Sequence, residues 1–431
     1  MNLSGEEAGV GVSPSLLFAN FNQDSSCFAC GNVDGFAVFN VEPFREIFRR
    51  VFTNGGIAIV EMLFRSNLLA IVGGGRNPRY PPNKVMIWDD YENKCIGELM
   101  FKSQVHAVRL RRDRIVVVLN TKAFVYRFKD LKLIHEIKTV ANPRGLVSQS
   151  VDAMSNVLAL PGPTRGTVRV ELFDLEKAAM IKAHDAELAQ FALNFDGSRL
   201  ATASDKGTLV RVWDAHTGEP LRELRRGTDR AEIYSIAFNH ASTFLACSSD
   251  KGTAHIFALV EGAGAGGAGG GGGGYSPNAA GAMATPGKSD HYPGALLDAA
   301  TDSGSGLESG SGQHHQQQTQ QLGSANKGLG LGMGFLRKMR PEGLVPKYLA
   351  SEWSLAQVRG IEGRSICAFV GDTGRLAVVC ADGGFLLSRF DEGGDCPRLA
   401  YHRFVRESEE ELLQQQQQQQ LQSHTHDGST P

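Results

Sequence analysis

The amino-acid sequence predicts an all-β fold, a seven-bladed β-propeller, on three observations. Short apolar strands that end in an aromatic residue recur along the chain. Their closing aromatics Phe39, Trp88, Phe128, Phe173, Trp213 and Phe257 lie 49, 40, 45, 40 and 44 residues apart. A seventh unit closes at Phe390, 133 residues beyond Phe257, and the intervening sequence differs sharply in composition. A period of about 40–45 residues is that of a four-stranded propeller blade, whose single sheet cannot bury its faces without neighbours.

Each unit justifies itself in turn. The strands 36–39, 85–88, 124–128, 168–173, 209–213, 254–257 and 385–390 carry β-branched and aromatic residues, and a Gly- or Asp-rich turn precedes most of them. The first 13 residues are acidic and Gly-rich and are expected to be disordered. Residues 14–260 supply blades one to five and most of blade six. From 261 to 344 the chain holds a block of six glycines at 269–274, Ser-Gly repeats and a Gln/His tract at 313–321. Such sequence buries too little apolar surface to offset its ordering entropy, so a disordered insertion is expected. Residues 345–405 complete blade six and form blade seven. A Gln-rich tail, 406–431, is again expected to be disordered. Because strand three of blade six ends near Phe257 and a strand-like 353–358 follows, the insertion joins strands three and four and leaves from the outer rim.

Bulk chemistry excludes several function classes. Lys plus Arg (44) nearly cancel Asp plus Glu (46), for a formal charge of -2, so nucleic-acid binding through bulk charge is not expected. The seven cysteines are scattered, and although Cys27 and Cys30 have the spacing of half a zinc site, no second pair completes it. They read as buried thiols of a reducing compartment, with no metal and no cofactor. No apolar run approaches the length of a membrane span, and no signal peptide is recognisable. A cytoplasmic monomer is expected. No catalytic constellation stands out, and the stretch 282–289 imitates a phosphate loop without its first glycine or its strand-to-helix context.

The chemistry concentrates in two near-copies of one hairpin. Leu200-Ala201-Thr202-Ala203-Ser204-Asp205-Lys206-Gly207-Thr208 recurs 45 residues later as Leu245-Ala246-Cys247-Ser248-Ser249-Asp250-Lys251-Gly252-Thr253. Either Asp-Lys-Gly turn alone is an ordinary tight turn. Between them stands Leu224-Arg225-Arg226-Gly227. Side chains alternate along a strand, so consecutive arginines point apart and one guanidinium can join each hairpin. A one-residue slip in the following strand gives Arg211 and His255 equivalent places. Two anion pockets follow, each with hydroxyl donors and a guanidinium suited to fork onto phosphate.

Leu224-Arg225-Arg226-Gly227 resembles the Phe/Leu-Arg-Arg-Gly signature of the PROPPINs, WD-repeat-like propellers that bind polyphosphoinositides. Val60 to Gly75, Pro81 to Asp90 and Leu110 to Leu119 are similar to WIPI-type members of that family, in the same order. The resemblance implies a non-catalytic autophagy adaptor on membranes bearing phosphatidylinositol 3-phosphate or 3,5-bisphosphate. It would be peripheral on phagophore, endosomal or vacuolar membranes. Site one would use His184, Thr202, Ser204, Gly207, Thr208, Arg211 and Arg225; site two would use Arg226, Gly227, Ser249, Thr253 and His255. His184 also fits the position that braces a WD-type blade. If it titrates near its ordinary value, binding strengthens below about pH 6.5. The stretch Phe335-Leu336-Arg337-Lys338 would enter the bilayer interface, and Asn22 and Asp24 in blade one would contact the autophagic lipid-transfer protein. A WD-repeat scaffold that meets acidic protein partners without lipid is the alternative.

Overall fold

A computed structural model describes residues 1–3, 13, 15–53, 55–260, 351–371, 373–390 and 394–405. The expected disordered insertion 261–344, with the membrane stretch Phe335, Leu336, Arg337 and Lys338, and the tail 406–431 lie outside the described residues. The expectation of disorder over the first 13 residues is corrected at its start, where Leu3 is buried and its amide donates to the Leu17 carbonyl at 2.8 Å. The described residues form a ring of seven mainly antiparallel sheets, in agreement with the predicted propeller. Blade one is Leu16–Phe21, Cys27–Asn32, Gly35–Asn40 and Arg45–Val51; blade two is Ile57–Met62, Leu68–Gly73, Lys84–Asp89 and Lys94–Met100. Blades three and four span Ala107–Leu110 to Leu133–Lys138 and Ser148–Gln149 to Lys177–Lys182. Every aromatic-ending strand singled out by periodicity is, or closes, the third strand of its blade.

Burial explains the pattern. The second and third strands of blade one are buried along their whole length, whereas its fourth, Arg45–Val51, is exposed at its first three residues and its last and half-buried between. A strand sandwiched between neighbouring blades reads as a continuous apolar run, and only the outer strand meets water. The ring closes by packing, since blade one takes all its strands from residues 16–51 and blade seven all of its own from residues 365–403. Phe28 stacks on Phe385 with ring centroids 5.8 Å apart and planes 8° from parallel. Phe44 lies against His402 at 4.3 Å, and Arg375 pairs with Glu42 across the same seam.

Blades five and six differ from the rest. Blade five consists of Leu188–Leu193, Arg199–Ser204, Leu209–Asp214 and Pro220–Arg225; blade six begins Ile233–Phe238, Phe244–Ser249 and Thr253–Ala258. Its fourth strand is Ala356–Arg359, antiparallel to Thr253–Ala258, so the insertion does join strands three and four. The expected strand 353–358 needs correction, however. Glu352–Trp353 belongs to blade five, where it runs parallel to Pro220–Arg225 with Leu224 opposite Glu352 and Arg225 opposite Trp353. Blade six likewise gains a fifth, parallel strand, Gly394–Asp395, outside Ala356–Arg359. Its fourth strand is therefore not the rim. Outer edges carry unpaired backbone groups, and these short additions cover them.

Candidate anion-binding sites

The two hairpins are built alike but differ by one residue. In blade five Thr202 pairs with Arg211, and in blade six Cys247 pairs with His255. Thr202 and Cys247 are equivalent by the 45-residue repeat, so Arg211 and His255 do occupy matching places, one residue out of step. The cause is loop length. Four residues separate the strands Arg199–Ser204 and Leu209–Asp214, and three separate Phe244–Ser249 and Thr253–Ala258. Gly207 and Gly252 turn these loops at φ of 64° and 69°, a region that glycine enters without strain. At Gly207 a Cβ would stand 1.8 Å from the Ala231 carbonyl oxygen.

Leu224 sets the orientation of the arginines. It is fully buried between blades five and six, against Val210, Ile233, Leu245 and Phe257. Alternation along Pro220–Arg225 then sends Glu223 and Arg225 to the other face. Arg225 Nη2 donates to Ser351 Oγ at 3.3 Å. Arg226 turns the opposite way: its Nε donates to the Gly207 carbonyl at 2.9 Å and its Nη2 to the Asp229 carbonyl. Its charge is felt by His255 and Cys247 in blade six. Consecutive arginines thus diverge, one to the edge of blade five and one toward blade six.

Site one gathers Arg211 and Arg225 about a carboxylate that sequence reading missed. Arg211 Nε donates to Glu223 Oε2 at 3.0 Å and Nη1 to the Ala183 carbonyl at 2.8 Å. Ser351 Oγ donates to Glu223 Oε1 at 3.2 Å. Alternation could have revealed Glu223, two residues before Arg225 on the same face. Ser351 is 126 residues from Arg225 in sequence, and no local signal joins them. The Arg222–Glu352 ion pair at 2.8 Å ties the same two segments together.

Beneath this cluster lies a buried brace. Trp213 Nε1 donates to Thr202 Oγ1 at 3.0 Å, and the same hydroxyl stands 3.0 Å from His184 Nε2. Thr202 has no exposed surface, nor has Ser249, whose hydroxyl accepts from the Lys251 amide at 3.4 Å. Neither hydroxyl faces an open hollow, which revises their expected place among the surface donors. Ser204 is buried too, under the turn in which its carbonyl accepts from the Gly207 amide at 2.9 Å. Thr208 and Thr253 are half-buried and remain within the two clusters. The Thr208 carbonyl accepts from the amides of Arg226, at 3.0 Å, and Gly227. A Cβ added at Gly227 would meet nothing within 4 Å.

Site two centres on His255, whose Nε2 lies 3.2 Å from Thr253 Oγ1 and Nδ1 3.1 Å from Ser354 Oγ. Ser354 and Arg359, which pairs with Thr253 in the ladder, come from beyond the insertion and were invisible to spacing arguments. Burial, then the charge of Arg211, pushes His184 down to about 4. Burial, then the charges of Arg226 and Arg359, pushes His255 down to about 4 as well. The expectation of protonation near pH 6.5 is therefore overturned for the ligand-free chain; both rings are neutral at physiological pH.

The proposed partner residues part company. Asn22 is buried, with its amide donating to Ser26 Oγ and the Phe64 carbonyl and its Oδ1 accepting from the Cys27 amide at 3.0 Å. It shapes the turn and offers no contact surface, a correction to its expected role. Asp24 caps the same turn through Ser26 and stays exposed. Cys27 and Cys30 are buried free thiols, and burial pushes Cys30 up to about 12. Among the described residues no cluster of His, Cys, Asp and Glu could hold a metal, and no helix is long and apolar enough to cross a membrane.

The PROPPIN family profile matches residues 15–266. Autophagy-related protein 18e of Arabidopsis thaliana is 45% identical over 246 residues, covering 57% of this chain and 66% of that protein. Autophagy-related protein 18 of Yarrowia lipolytica is 38% identical over 274 residues, covering 58% and 68%. The chain spans only 52% of the Komagataella pastoris relative of the same name. In three dimensions Kluyveromyces lactis Hsv2 superposes with a TM-score of 0.62 at 19% identity, over 91% of this chain and 100% of that one. KlAtg21, solved with the coiled coil of AgAtg16, gives 0.63 at 22% identity over the same shares.

Proposed function

Because this chain belongs to the PROPPIN family, we propose that it is a non-catalytic adaptor that reads phosphoinositides and brings autophagy machinery to membranes. The observation that carries this reading is the divergence of Arg225 and Arg226, the first bonded to Ser351 beside Arg211 and the second to the Gly207 carbonyl on the side of His255. Guanidinium–phosphate bonds are charge-assisted, on the order of 1.5–3 kcal/mol each, so each cluster alone gives weak binding. Two weak sites on one rigid ring engage a membrane together, and avidity exceeds either affinity by roughly 10²–10⁴.

The headgroups are those of phosphatidylinositol 3-phosphate and 3,5-bisphosphate. Site one comprises Arg211, Arg225 and Thr208 over the His184–Thr202 brace; site two comprises Arg226, Gly227, Thr253 and His255 with Arg359. The protein would attach peripherally to phagophore, endosomal or vacuolar membranes, with Asp24 as the exposed contact for the lipid-transfer protein.

Flotation with phosphatidylcholine vesicles, with and without phosphatidylinositol 3-phosphate, tests the reading. Arg225→Thr is expected to lower lipid-dependent flotation steeply while the melting temperature holds. Arg225→Thr with Arg226→Thr abolishes it, at a cost in stability because Arg226 holds two backbone carbonyls. Undiminished flotation of the double variant would reject the two arginine sites, and a wild-type chain that gains no flotation from the 3-phosphate would favour a protein-binding scaffold.

A further inference from the structure

We infer that Glu223 is a built-in counter-anion of site one that an incoming headgroup must displace, so that it sets a charge threshold for binding there. This rests on the phosphoinositide reading above. The carboxylate is the ladder partner of Arg211. One oxygen accepts from Arg211 at 3.0 Å and the other from Ser351 at 3.2 Å, while Ser351 in turn accepts from Arg225. Both arginines of the site therefore converge, directly or through one hydroxyl, on the same negative group. Its side chain is 36% exposed and that of Arg211 32%, so the pair sits where a ligand can reach it. Site two differs: its cations Arg226 and Arg359 surround a neutral histidine, and Arg226 is satisfied by carbonyls.

The consequence is selectivity. A carboxylate carries one negative charge, whereas a phosphate monoester carries about 1.5 to 2 at neutral pH. A monoester therefore outcompetes Glu223 for the two guanidiniums, and a singly charged phosphodiester, as in unphosphorylated phosphatidylinositol, does not. Glu223 thus restricts site one to headgroups bearing a free phosphate.

The test compares flotation of the full chain with vesicles containing phosphatidylinositol and with vesicles containing its 3-phosphate, for wild type, Glu223→Gln and Glu223→Ala. Removing one charge about 5 Å from the ligand in a wet site is expected to tighten binding roughly fivefold. The gain is at least as large for the 3-phosphate, which carries the greater charge, and phosphatidylinositol, held below the threshold in wild type, gains measurable flotation in both variants. Unchanged or weaker binding to both vesicles would show that Glu223 merely orients Arg211 and overturns the inference alone. A wild-type chain that floats with neither vesicle overturns the phosphoinositide reading, and this inference with it.

Discussion

Gly207 and Gly227 flank the double arginine cluster and are glycines for different reasons. At Gly207 the backbone φ of 64° and the Ala231 carbonyl 1.8 Å from a would-be Cβ leave no room for a side chain. Gly207→Ala is expected to destabilise the ring by about 1–3 kcal/mol, read as a lowered urea midpoint at constant slope. At Gly227 a methyl group meets open space, so Gly227→Ala should fold like wild type. Its freedom is consistent with a headgroup resting on the backbone there, and the same variant should lose vesicle flotation. Wild-type flotation would show that the ligand does not approach this point. The motif made Gly227 a candidate in the sequence, yet the reason for it lies in empty space above a turn.

The buried brace His184–Thr202–Trp213 joins a blade linker to two strands of blade five. Thr202→Val removes the shared hydroxyl and leaves Trp213 Nε1 and His184 Nε2 without that partner, at an expected cost of about 1–3 kcal/mol in thermal or urea unfolding. Protonation acts on the same element. The folded values of His184 and His255 lie at about 4, below the ordinary 6.5, so the unfolded chain binds more protons between these limits. Stability is full above about pH 6.5 and falls as pH drops toward about 4, by up to about 1.4 kcal/mol per unit for each histidine. Urea midpoints that stay level from pH 7 to about 5 would contradict the buried, neutral state. Sequence reading recognised His184 both as a headgroup ligand and as a brace; its 3.0 Å contact with Thr202 forms only once the strand Arg199–Ser204 packs beneath it.

Ring closure depends on the seam of blades one and seven. Phe28, Phe39, Phe385 and Phe404 are buried there, with Phe28 stacked on Phe385. Phe385→Ala is expected to cost about 3–5 kcal/mol, since a large cavity opens where no strand is exchanged to hold the ends together. Limited proteolysis and thermal unfolding would register it; an unchanged melting temperature would place closure elsewhere. Periodicity made the seven blades and the long insertion legible, because a two-residue alternation and a fixed repeat are local properties of sequence. How the ends meet was not legible, since Phe28 and Phe385 share no local pattern.

The same division holds for the candidate sites. Repeat alignment and strand alternation were enough to identify the paired hairpins, the one-residue slip between Arg211 and His255, and the divergence of Arg225 from Arg226, because each follows from neighbours along one strand or one repeat. Folding alone brought Ser351 across the insertion to Arg225 and Ser354 and Arg359 to the hairpin of His255, buried Thr202, Ser249 and Asn22, and kept both histidines neutral. These outcomes depend on how closely distant segments pack and how much water they exclude. Neither quantity is encoded at any single position of the chain.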